Sequence, residues 1–203
     1  MDKVYYLDIT NINLDDINLS LVSNERIEKA NKYKDKVKKI QSLTSYLLLR
    51  YVFKKLDINL NEYEFSYQNN KPYIKDLNYH FNITHSKNIV AVVVGDKEVG
   101  VDVEFIDYER KLNSLNYVLS NVELSIYNQL TGNEKQEFFY RKWTTKEAYF
   151  KMKGTGLSKT FNSCMVLEYP VYKVFDINNK PYYITSTLPN FKLANVEFNL
   201  INE

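Results

Sequence analysis

The chain has 203 residues, 44% of them hydrophobic, and a formal net charge of +2, so it can bury a core without staples and carries no whole-molecule nucleic-acid footprint. Its one cysteine, Cys164, excludes an internal disulfide and a cysteine zinc cluster, and reads as an inert buried residue in a reducing compartment. No run approaches the ~20 apolar residues of a membrane span, so a soluble, cytoplasmic protein with neither membrane nor nucleic-acid partners is expected.

Residues 4–9 alternate as a first strand. Ser23 then opens a helical tract whose second part, 38–56, carries an apolar stripe through Leu43, Leu47, Leu48, Tyr51 and Val52. Basic residues cluster over 29–39 around Tyr33, which suits either a solvated helix face or the lining of an anion site. Residues 63–67, 73–75 and 81–84 predict short strands, and 89–94 with 99–105 predict a hairpin about Gly95 and Asp96 in an antiparallel sheet.

The second half places helices first and strands last. Ser120 and Glu123 have the spacing of a capping box, and a long helix over 134–153 stops at Gly154, a residue suited to a left-handed cap. Strands follow over 171–175, 182–187 and 191–199. The string Asn-Asn-Lys-Pro-Tyr occurs at 69–73 and again at 178–182, each time between two strand-like runs, as an Asn-Asn turn with Pro blocking further pairing. The repeat hints at two related halves, although Asn, Lys and Tyr are frequent enough for coincidence.

Three segments carry candidate chemistry. In Trp143-Thr-Thr-Lys-Glu-Ala-Tyr-Phe-Lys151, helical spacing stacks Trp143, Glu147 and Lys151 on one stripe, flanked by Lys146 and Phe150. The plain alternative is a solvated Glu–Lys pair beside a core tryptophan. In Gly100-Val-Asp-Val-Glu-Phe105, alternation puts Asp102 and Glu104 on the face opposite Val101, Val103 and Phe105, or marks an ordinary half-exposed strand. Two strand carboxylates with Glu147 would give three hard oxygen ligands for Mg²⁺, which completes its shell with substrate phosphate oxygens. In Phe81-Asn-Ile-Thr-His-Ser86, His85 stands between two hydroxyls able to meet a phosphate, or serves a structural role.

Taken in order, these motifs resemble the Sfp-type 4'-phosphopantetheinyl transferases, from about Ser23 to Leu157. The resemblance implies an α+β fold of two similar halves related by a pseudo-twofold, each a small antiparallel sheet packed with helices. The division falls at 1–100 and 101–203, with coenzyme A in the cleft between. It implies transfer of 4'-phosphopantetheine from coenzyme A to a serine of an acyl or peptidyl carrier protein, with release of 3',5'-ADP. Asp102, Glu104 and Glu147 would hold Mg²⁺, Lys151 would neutralise phosphate charge, and Glu147 is the candidate general base, directly or through a water. Arg26, Lys29, Ser42, Lys71, Thr84 and His85 would contact the adenine and 3'-phosphate, whereas Lys180 in the second string has no such role. Asn70 stands where the family has Gly before Lys-Pro, Thr84 replaces the commoner Ser, and the chain is short after Leu157. A monomer is expected. The alternatives are a non-catalytic module that holds RNA or an acidic protein on the 29–39 surface, and an Mg²⁺-dependent phosphoester hydrolase.

Overall fold

The computed structural model describes residues 2–68, 71–156, 161–163 and 168–203. The Asn69-Asn70 turn, the end of the family resemblance at Leu157 and the reading of Cys164 lie outside the described residues. After strand β1 (Lys3–Asp8) come helices α1 (Asn24–Asn31) and α2 (Lys36–Lys54). Ser23 caps α1 by accepting the Arg26 N–H at 3.3 Å, and Asp35 caps α2 by accepting the Lys38 N–H at 3.1 Å, each satisfying an otherwise orphaned first-turn donor. Strands β2 (Phe65–Gln68), β3 (Lys71–Ile74), β4 (His80–Ser86), β5 (Ile89–Gly95) and β6 (Val101–Phe105) follow. Next come α3 (Leu115–Val118), α4 (Asn121–Gln129), α5 (Asn133–Lys153), β7 (Val171–Phe175), β8 (Pro181–Ser186), β9 (Lys192–Asn195) and α6 (Phe198–Ile201).

The strands form a four-stranded sheet ordered β4-β5-β1-β9, a β2-β3 ribbon and a three-stranded sheet ordered β6-β8-β7. Every residue of β5 is buried, and alternation divides its side chains between two cores. Val90, Val92 and Val94 join Leu43, Leu47 and Phe53 of α2, while Ile89, Ala91 and Val93 meet Val101, Val103, Tyr182 and Ile184 of the other sheet. Tyr183 on the far face of β8 packs with Phe139, Tyr140 and Phe150 of α5. The layers therefore run α2, first sheet, second sheet, α5.

The fold is α+β with small sheets packed by helices, and it corrects three element-level expectations. Residues 89–94 and 99–105 do not form a hairpin: both edges of β5 are taken, by β4 and β1, so the chain crosses to the second sheet and β6 pairs with β8. The hairpin lies one strand earlier, between β4 and β5, where Lys87 adopts φ 47°. Residues 191–199 are not one strand, because the pattern changes after Asn195, with Val196, Phe198 and Ile201 packing on the first core through α6. Finally, the first sheet is not purely antiparallel, since β9 returns to it and pairs parallel with β1.

Candidate active site

The close approach of α5 to the start of β6 builds the site. A Cβ on Gly100 would stand 1.9 Å from the Ala148 carbonyl oxygen and 2.8 Å from the Met152 nitrogen, so only glycine permits this packing. Ala148 lies between Glu147 and Lys151, and the contact presses that stripe against β6. Asp102 is thereby covered to 2% exposure, so β6 is not a half-exposed strand with its polar residues outward.

β4 flanks β6 through side chains instead of a backbone ladder. The alternate residues Asn82, Thr84 and Ser86 accept the N–H groups of Val101 (3.1 Å), Val103 (3.4 Å) and Phe105 (3.1 Å). The Thr84 hydroxyl also donates to Asp102 Oδ1 at 3.1 Å and accepts from Lys151 Nζ at 2.9 Å. Lys151 Nζ reaches the same Asp102 oxygen at 2.5 Å. Glu104 takes the Ser86 hydroxyl on Oε2 at 3.2 Å and the Trp143 indole N–H on Oε1 at 3.0 Å. Lys151 is therefore drawn across to β6, which disfavours the reading of the α5 stripe as a solvated surface pair.

The electrostatics of this cluster are those of crowded, desolvated carboxylates. Burial pushes Asp102 up, against the pull of Lys151 and Thr84. Burial and the Asp102 charge raise Glu104 to about 7 and Glu147 to about 7. Burial disfavours the charged Lys151, but Asp102, Glu147 and Glu104 outweigh it and hold the ammonium above its ordinary value. Three carboxylates facing one ammonium carry an excess of two negative charges when all ionise, which a divalent cation would balance. Asp102 Oδ2 is buried without a hydrogen-bond partner, a costly state that an additional ligand would relieve. Hard oxygens with an orphaned buried acceptor fit Mg²⁺ by chemistry. Among the described residues, however, no group of three His, Cys, Asp or Glu side chains is drawn together closely enough to chelate an ion.

A cavity of about 400 Å³ brings together Arg26, Lys29, Ser42 and His85, with Lys38, Ser45 and Tyr67 also on its lining. The hydroxyls of Ser42 and Ser45 are buried without partners, beside three cationic side chains, as an anion site requires. Burial and the Arg26 charge lower Lys29. Desolvation by the surrounding chain, then Lys151 and Lys38, push the rim imidazole of His85 below its usual value.

The other residues predicted for the ligand lie elsewhere. Thr84 and Lys151 belong to the carboxylate cluster. Lys71 donates to the Met152 carbonyl at 2.6 Å and lines a separate concavity of about 240 Å³ with Lys153 and Gly154, so it caps the end of α5 and does not line the basic cavity. Lys180 is exposed. Lys146 is buried and donates to the Val118 carbonyl at 2.6 Å and to Glu123 at 2.7 Å. Sequence reasoning missed Ser45, the turn of Ser86 toward Glu104 instead of a phosphate, and the polar role of Trp143. The first two were open to it, since Ser45 stands one helical turn from Ser42, and Ser86 continues the period-two series from Asn82 and Thr84.

Comparison with known proteins places the chain in a family. The profile of the 4'-phosphopantetheinyl transferase superfamily matches residues 98–195, the stretch that contains β6 and α5. The chain is 33% identical over 158 residues to the 4'-phosphopantetheinyl transferase ffp of Bacillus subtilis, covering 73% of this chain and 67% of that protein. The chain belongs to the 4'-phosphopantetheinyl transferase family. It is also 30% identical over 154 residues to the transferase Sfp of Bacillus subtilis strain 168, with the same coverage. The transferase gsp of Aneurinibacillus migulanus is 29% identical over 168 residues, covering 82% of this chain and 70% of gsp. As a family member the chain is an enzyme, a transferase. Its Gly100–Glu104 strand and Trp143–Lys151 helix fall within the matched span, whereas the cavity residues of α1 and α2 precede the superfamily profile.

Proposed function

We propose that this transferase moves the 4'-phosphopantetheine group from coenzyme A to a serine of an acyl or peptidyl carrier protein, releasing 3',5'-ADP. The observation that carries the detail is the cluster of Asp102, Glu104, Glu147 and Lys151 on two rigid elements. Arg26, Lys29, Ser42 and His85 bind the 3'-phosphate end of coenzyme A in the 400 Å³ cavity, with charge-assisted hydrogen bonds that hold the pyrophosphate in place. Residues 1–100 and 101–203 are the two halves, with the site between them, although β9 returns to the first sheet and α6 to the first core.

Asp102, Glu104 and Glu147 would hold Mg²⁺, which when bound supplies Lewis-acid neutralisation at the pyrophosphate. The Lys151 ammonium, kept protonated by its carboxylate neighbours, screens the oxygens of the β-phosphate. The carrier serine oxygen forms the new bond to the β-phosphorus, the bond to the bridging oxygen breaks, and 3',5'-ADP departs with that oxygen. Glu147 accepts the serine proton, directly or through an intervening water. The partners are coenzyme A and the carrier protein, and the chain acts as a cytoplasmic monomer without nucleic acid. No described helix is long and apolar enough to cross a membrane.

The test is mass spectrometry of a panel of apo carrier proteins incubated with the enzyme, coenzyme A and Mg²⁺. A mass gain on the carrier serine is expected, together with its loss in Glu147→Gln and Asp102→Ala variants whose circular dichroism is unchanged. Near-normal turnover by either variant counts against this site, and nucleotide release without any carrier protein points to hydrolysis instead.

A further inference from the structure

Trp143 is the only tryptophan in the chain, and packing accounts for only part of its position. The ring lies against Phe139 (centroids 6.2 Å apart) and Phe161 (5.5 Å), while the indole N–H points to Glu104 Oε1 at 3.0 Å. Ser86 holds the other oxygen of the same carboxylate at 3.2 Å. Both oxygens of Glu104 thus have a donor, and each retains lone-pair capacity for a further ligand. The two donors are neutral, in contrast to the ammonium on Asp102. They fix the carboxylate plane without cancelling its charge, which a lysine or arginine at either position would do.

We infer that Trp143 is a positioning residue for the cation site: its indole N–H, with the Ser86 hydroxyl, sets the orientation in which Glu104 meets a divalent cation. The assignment rests on the proposed metal role of Glu104. Trp143 sits one helical turn before Glu147, so the same hydrogen bond ties the α5 carboxylate to the β6 carboxylate. Partners of this kind, which orient a ligand without touching the ion, typically change metal affinity about 10- to 100-fold when removed.

Two measurements test it on the full chain. In the first, Mn²⁺ binding without coenzyme A is followed by electron paramagnetic resonance for the unsubstituted protein and for Trp143→Phe, which keeps a ring and loses the donor. Mn²⁺ affinity is expected to fall about 10- to 100-fold in the variant, while coenzyme A binding in EDTA is unchanged. In the second, which needs no variant to fold, the single indole ¹⁵N–H resonance is followed during Mg²⁺ titration and is expected to move with the binding isotherm. Unaltered Mn²⁺ affinity in a folded Trp143→Phe protein, or an indole resonance that stays fixed at Mg²⁺ saturation, overturns the positioning role alone. If the unsubstituted protein binds neither ion, the metal reading of Glu104 falls, and this assignment falls with it.

Discussion

Gly100 has no room for a side chain, because the atoms a Cβ would meet belong to the α5 backbone and no rotamer change can relieve the overlap. Gly100→Ala is expected to destabilise the protein by more than about 3 kcal/mol, the upper range for overpacking, and to abolish transfer by moving Glu147 and Lys151 away from β6. Urea denaturation and the carrier-loading assay check both. Lys151→Ala strips the counter-charge from a carboxylate that is only 2% exposed, so a loss of about 3 kcal/mol is expected in EDTA, partly restored by Mg²⁺. Thermal melts with and without Mg²⁺ measure the difference. The loading rate is expected to fall about 10²- to 10³-fold, the range for losing one electrostatic contact to the transition state. At this scale the spacing of Trp143, Glu147 and Lys151 was readable in one dimension, because a helix repeats every 3.6 residues whatever surrounds it. That the indole faces Glu104 and the ammonium faces Asp102 was not readable, because each bond joins α5 to β6 across about 40 to 50 residues of chain.

Among the elements, α5 is held by polar contacts on two further sides. Lys146, at 2% exposure, ties it to the end of α3 and to the capping box of α4, where Glu123 also accepts the Ser120 N–H at 2.8 Å. Lys146→Met is expected to cost about 3 kcal/mol, since it removes the closer of the two lysines that face Glu123, with the loss seen in chemical denaturation. Glu137 joins α5 to β7 and β8 by accepting from Lys173 (2.7 Å), Tyr108 (2.7 Å) and Tyr183 (3.0 Å). The Lys173 and Tyr108 hydrogen bonds hold its carboxyl down at about 2. A depressed folded value means that the stability it contributes is fully present above the unfolded value of about 4.3 and is lost as the pH falls from there through about 2. Glu137→Gln is therefore expected to be less stable than the unsubstituted protein at pH 7, with the gap closing below pH 4. Salt should narrow the difference as well, because the pair is partly exposed. The long helices and most strands were legible from period and caps, whereas α3 was not, and α6 read as the end of a strand. The apparent hairpin at Gly95 was a misreading, because alternating residues do not say which edge of which sheet a strand will find.

For the whole molecule, what matters is how two sheets with separate helical partners are joined. Asp176, between β7 and β8, accepts from the Asn88 amide and the Tyr182 hydroxyl, both at 3.1 Å. Asp8, at the end of β1, accepts the Ile177 N–H at 2.6 Å. Asp176→Ala would orphan both side-chain donors and two backbone N–H groups of its own turn. It is expected to cost about 3 kcal/mol in urea unfolding, with coenzyme A affinity retained because the basic cavity lies on other elements. By itself the sequence determined what depends on near neighbours: the caps, the helical stripe of Glu147 and Lys151, the alternation of Asp102 and Glu104, and the ordered motifs that mark the family. Only the tertiary structure decided that β6 leaves β5 for β8, that β9 returns to β1, that Lys71 caps α5, and that Thr84 faces the carboxylates instead of the cavity. The reason is physical: periodicity sets which face a side chain takes, but its partner depends on which edges and surfaces remain free once the layers have packed.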